Sequence, residues 1–90
     1  MLNKFKIAET ENFSKKIKSK KYEFLYSKIF DNVYPLIKSN PFFGVNIKKL
    51  KGECSDLYRF GIKHYKLFYM VDEKKLTIFI IDIENKQTVK

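Results

Sequence analysis

Two short polar turns, Lys63-His64 and Asp72-Glu73-Lys74-Lys75, cut the last third of the chain into three apolar-rich segments. Leu57-Tyr58-Arg59-Phe60-Gly61-Ile62, Tyr65 to Val71, and Leu76 to Ile83 each read as a β-strand. Connections this short can join only antiparallel neighbours, because a parallel crossover takes a dozen or more residues. The C-terminal half is therefore expected to form a three-stranded antiparallel meander.

The first half runs on a different period. Phe5-Lys6-Ile7-Ala8 alternates apolar and polar residues and reads as a short strand. Thr10 reads as an N-cap, with Glu11 favouring a first helical turn. Phe13 and Ile17, four apart, predict a short amphipathic helix over 11–19. Tyr22, Leu25, Tyr26, Ile29, Phe30, Val33, Leu36 and Ile37 predict a longer helix over 21–38 with one buried stripe. Pro35 removes a backbone donor inside that pattern, so a kink or a separate last turn is expected there. Almost nothing joins the two helices, which forces a hairpin. Asn40-Pro41 ends the helical region, and 41–56 reads as a basic loop carrying Gly44, Gly52 and Lys48-Lys49-Leu50-Lys51. The expected fold is α+β: a strand, a helical hairpin and a meander, with the helices on one sheet face.

Ninety residues make one small domain, and 44% apolar content with nine Phe and six Tyr suffices to fold it. Such a chain hides only about 60% of the surface its unfolded form exposes, so its stability is expected to be marginal. Nineteen Lys+Arg against ten Asp+Glu leave a net charge of +9, and Arg59 is the sole arginine. That excess points to an anionic partner: nucleic acid, an acidic protein or an anionic surface. The lysines do not line up opposite a free apolar helix face, which disfavours a membrane. One cysteine, Cys54, cannot form an internal disulfide, and with only His64 beside it no zinc set is available. Glu53 and Asp56 near Cys54 disfavour a thiolate nucleophile. No Ser/His/Asp set, paired carboxylate or glycine-rich phosphate loop is present, so neither a metal nor a small-molecule cofactor is expected. The N-terminus lacks the apolar run of a signal peptide, and Leu76 to Ile83 is too short to cross a bilayer. The expected setting is a reducing cytoplasm.

If Lys63-His64 is a two-residue hairpin loop, Ile62 faces Tyr65, Phe60 faces Leu67 and Tyr58 faces Tyr69 on the side under the helices. Arg59 and Lys66 then become diagonal neighbours on the open side, within reach of one shared anion. The Lys48 to Lys51 cluster feeds into that strand, and Lys86 and Lys90 lie in a tail that could fold back over it. The lysines from Lys15 to Lys21 read as a solvated face, His64 as an exposed turn residue, and Phe42 and Phe43 as a cap on the core.

The string Asn40-Pro41, Asn46-Ile47-Lys48-Lys49-Leu50-Lys51-Gly52, Leu57-Tyr58-Arg59-Phe60, Tyr65-Lys66-Leu67-Phe68-Tyr69 resembles the RelE/ParE toxin superfamily over nearly the whole chain. The resemblance implies a RelE-like fold and the toxin of a type II toxin–antitoxin system, with a cognate antitoxin as partner. RelE-like members cleave messenger RNA in the ribosomal A site, while ParE-like members share the fold and poison DNA gyrase. RNA brings its own nucleophile, the 2′-hydroxyl. A metal-free basic sheet need only orient that group, stabilise the charge on the transition state and handle protons.

By this resemblance the catalytic candidates are Arg59, Lys66, Lys86, Lys90 and His64, and the RNA-binding candidates Lys48, Lys49, Lys51 and Lys63. Arg59 matches the first family arginine. Gly61, Lys66 and Lys86 stand where three others usually do, His64 replaces an aspartate, and Lys90 takes the position of the terminal tyrosine. Lysine keeps the charge but not the bidentate grip on phosphate. The pattern therefore also allows a gyrase inhibitor, or a weakened toxin that only binds its antitoxin.

Overall fold

The computed structural model describes residues 4–50 and 57–85. Strand β1 (Lys6–Glu9) leads into helix α1 (Glu11–Ile17). A second helical stretch follows as α2 (Glu23–Lys28), a widened turn (Ile29–Val33) and α3 (Tyr34–Ser39). Strands β2 (Ile47–Lys49), β3 (Leu57–Ile62), β4 (Tyr65–Asp72) and β5 (Thr77–Asn85) follow among the described residues. The five strands form one mixed sheet in the order β1-β5-β4-β3-β2, with β1 parallel to β5 and every other pair antiparallel.

The meander forms in the expected register. Ile62 pairs with Tyr65, Phe60 with Leu67 and Tyr58 with Tyr69. Tyr58, Phe60, Leu67 and Tyr69 are buried under the helices together with Val71, Ile78, Ile80 and Ile83. Tyr58 stacks on Tyr69 with ring centroids 5.7 Å apart, and the Tyr69 hydroxyl donates to the Pro41 carbonyl at 2.7 Å. That bond ties the segment after the helices to the middle of the sheet.

Helix α1 starts as its sequence predicts: Thr10 Oγ1 accepts from the Phe13 N–H at 3.3 Å, and Phe13 and Ile17 are buried. Its first turn is also anchored on β5, where the Thr10 N–H and hydroxyl reach the Ile80 carbonyl and Asn12 Nδ2 reaches that of Ile81. The anchor lies at a bulge, since Tyr69 pairs with Ile80 but Phe68 with Asp82. A bulge loosens the ladder locally, leaving carbonyls available to a partner from outside the sheet.

Two expectations need correction. The apolar stripe of the second helix does not bury all its residues: Phe30 and Leu36 are more than half exposed, and Tyr34 is buried instead. The cause is the widened turn, where the Tyr34 N–H donates to Ile29, five residues back. Spacing of four drifts by about 40° per step on a regular helix, and the extra residue absorbs that drift. Leu25, Ile29, Val33 and Ile37 therefore stay on one face. The wider turn also gives Pro35, in the first turn of α3, room for its ring where a regular helix would clash.

The second correction is β2. The stretch read as pure loop contains a strand, Ile47–Lys49, that pairs with β3. Three residues are too few for alternation to register in sequence, and lysines are common on edge strands because they discourage further pairing. The expected cap on the core is half right: Phe42 packs edge-on against Phe5 and Tyr58, whereas Phe43 is 78% exposed. No helix among the described residues is long and apolar enough to cross a membrane.

Candidate functional site

Strand alternation sorts the cations. On β3, Tyr58 and Phe60 point under the helices, so Arg59 and Gly61 point to the uncovered face. Register carries that face outward to both sides: Arg59 pairs with Lys48 on β2 and Gly61 with Lys66 on β4. Lys48, Arg59, Gly61 and Lys66, with Val45, Asn46 and Ile47, line a cleft of about 570 Å³. The Gly61 N–H donates to the Asn46 carbonyl at 2.9 Å, fixing the wall that precedes β2. With no side chain at Gly61, the floor between Arg59 and Lys66 stays open.

Three of the nine sequence candidates thus converge: Lys48, Arg59 and Lys66. Lys49 does not, because it pairs with Tyr58 and so projects to the opposite side of β2. The basic cluster read as one unit is split by the alternation of a strand. Lys63 and His64 sit at the exposed tip of the β3–β4 hairpin and are not among the cleft-lining residues. Lys51, Lys86, Lys90 and Cys54 lie outside the described residues.

One neighbour of the cleft escaped the sequence reading. Glu84 on β5 lies opposite Lys66 and brings a carboxylate beside the cations. Phe68 on β4 lies opposite Arg59, where the two-residue hairpin puts it. Only the register of β5, shifted by the bulge, could have placed Glu84. Asp82, the other acid on this strand, is held by Lys16 at 2.9 Å. That hydrogen bond is the main cause holding the Lys16 ammonium above the usual lysine range, with burial opposing it and Glu84 adding a minor share.

No protein-family model matches the chain, and no curated protein is detectably similar in sequence. Solved structures are similar in shape. The RelBE2 toxin–antitoxin complex of Mycobacterium tuberculosis contains a chain that superposes with a TM-score of 0.73 at 15% identity, covering 90% of this chain and 96% of that one. The archaeal RelE–RelB complex of Pyrococcus horikoshii gives 0.70 at 20% identity, over 93% and 97%. The isolated RelE toxin of E. coli gives 0.63 at 23% identity, over 92% and 85%.

The chain has the RelE fold. The RelE-like sheet presents Lys48, Arg59 and Lys66 in one cleft on the face its helices leave bare. Strand pairing fixes the backbone that carries these cations, so little backbone freedom is lost when an anion enters.

Proposed function

We propose that this chain is the toxin of a type II toxin–antitoxin pair and an endoribonuclease acting on messenger RNA at the ribosome. The observation that carries the reading is the meeting of Lys48, Arg59 and Lys66 in one cleft on the bare face of a RelE-like sheet. The scissile phosphate lies among the three cations. The RNA 2′-hydroxyl attacks the adjacent phosphorus, and the 5′-oxygen leaves with a proton, giving a cyclic phosphate and a free 5′-hydroxyl. Arg59 and Lys66 stabilise the added charge of the transition state, and Lys48 holds the strand. Among the described residues, Lys66 and Glu84, opposite each other on β4 and β5, are the groups beside the cleft that can move protons.

The partner is an antitoxin, as in the two RelE-fold complexes above. A net charge of +9 suits an acidic segment that folds as it binds.

Purified chain is expected to cut mRNA in the presence of ribosomes and to leave free mRNA intact. Arg59→Ala should lower cleavage by roughly 100-fold or more, and Lys66→Ala by a similar order, with the far-UV spectrum unchanged. Normal translation at high dose of the wild-type chain would overturn the nuclease reading. Inhibition of gyrase supercoiling in its place would assign the chain to the gyrase poisons.

A further inference from the structure

The uncovered face is not cationic throughout. Phe68 is the direct cross-strand partner of Arg59, and its neighbours along the same face of β4 are Lys66 and Met70. One row further, Leu57, Met70, Phe79 and Ala8 form a continuous apolar line across β3, β4, β5 and β1. Neither Phe68 nor Phe79 belongs to the core under the helices or packs against it. Phe68 is half-buried among its sheet neighbours, and no aromatic ring of the described residues stacks on it.

A half-buried ring on the uncovered face, opposite the central cation of an anion cleft, is a particular arrangement. Directly opposed side chains on antiparallel strands are about 5 Å apart at Cβ. A nucleotide's base lies about as far from its own phosphate, so a phosphate on Arg59 brings its base over position 68. Proteins that grip single strands combine a cationic track with aromatic rings on which bases stack. The acid on the far side of Phe68 does not spoil the site, since Asp82 is already paired with Lys16.

We propose that Phe68 is the stacking platform for the base of the nucleotide whose phosphate occupies the Lys48–Arg59–Lys66 cleft, the ligand being single-stranded RNA. This rests on the RNA reading given above and adds to it a base-contacting position. Phe68 orients the strand and favours a purine, whose larger π-face covers more of the ring. The cations supply charge without selectivity.

The chain contains no tryptophan, so Phe68→Trp creates a single fluorescent reporter at the site. The probes are a short 2′-O-methyl oligoadenylate, which cannot be cleaved through its 2′-oxygen, and an abasic 2′-O-methyl ribose-phosphate oligomer of equal length. The oligoadenylate is expected to quench the introduced tryptophan and the abasic oligomer to leave it bright while still binding. Phe68→Ala should weaken oligoadenylate binding roughly 5- to 100-fold and leave abasic binding unchanged, while Phe68→Tyr keeps both. Absence of quenching, or equal losses for both oligomers in Phe68→Ala, overturns the proposal. If Arg59→Ala loses both oligomers while the Phe68 variants bind like the wild type, the cleft stands and the stacking role falls. If Arg59→Ala binds both oligomers as the wild type does, the RNA reading itself falls. A response of the tryptophan to an acidic amphipathic Leu/Glu peptide, with none to RNA, would assign this face to a protein partner and equally overturn the proposal.

Discussion

Tyr34 is 4% exposed, and its hydroxyl donates to Glu9 Oε2 at 2.7 Å, while Tyr26 donates to the same oxygen at 2.8 Å. One carboxylate on β1 thus holds two rungs of the second helix. Burial first, and then the bonds to Glu9, push the Tyr26 hydroxyl up to about 12 and Tyr34 higher still. An unfolded tyrosine titrates near pH 10, so above that pH the unfolded chain loses protons the folded one keeps. The stabilisation is therefore whole below about pH 10 and drains away as pH rises through the folded values. Denaturant midpoints should stay level through neutral pH and fall above about 10, and Tyr34→Phe should make that fall shallower. At neutral pH the same substitution should cost roughly 1.5–3 kcal/mol, the loss of a hydrogen bond to a charged acceptor. Sequence periodicity does place residues 26 and 34 on a helix. It cannot say that their hydroxyls meet Glu9, because that contact depends on how β1 and the helix are laid together.

Elements follow the sequence where their signals are local. The cap at Thr10, the Lys63-His64 hairpin and the meander register need only neighbouring residues to decide them. The second helix follows it only in part, because the widened turn redistributes Phe30, Tyr34 and Leu36 around the axis. Strand β2 is drawn into the sheet by the edge of β3, not by its own short pattern. The β4–β5 turn carries a strain that composition also hides. Asp72 Oδ1 accepts from the Lys74 and Lys75 N–H groups, each at 3.1 Å, and Leu76 closes the turn at φ 51°. A leucine in the left-handed region costs roughly 1–2 kcal/mol, a cost glycine escapes. Leu76→Gly should therefore raise stability by about 1 kcal/mol in chemical denaturation, with the Lys6 N–H bond to the Leu76 carbonyl kept.

At the scale of the molecule the helices cover one face of the sheet and leave the other, with its cationic cleft, uncovered. That division sets the Phe13, Ile29, Tyr69 and Ile80 side against the Lys48, Arg59, Lys66 and Phe68 side. If RNA lies in the cleft as proposed, three cations facing one strand require that its affinity fall with salt. Each neutralised phosphate contributes about −0.7 to the slope of log K against log salt on a single strand, so a slope near −2 is expected. Titration of the oligoadenylate across a salt series checks this, and Arg59→Ala should bring the slope closer to zero by about one contact's worth. A slope far steeper would mean that the scattered surface lysines, not the cleft, hold the strand.

The amino-acid order alone determined the α+β class, the helical starts and the partners across β3 and β4. Those depend on spacing within a few residues, where backbone geometry leaves few alternatives. The tertiary structure decided which cations share a site. Lys48 joins Arg59 and Lys66 because β2 docks on β3, and Lys49, its neighbour in sequence, is turned away by the same pleat. Charge can be counted along a chain, but its direction is set by strand alternation and by which sheet face the helices cover, and both exist only once the core has closed.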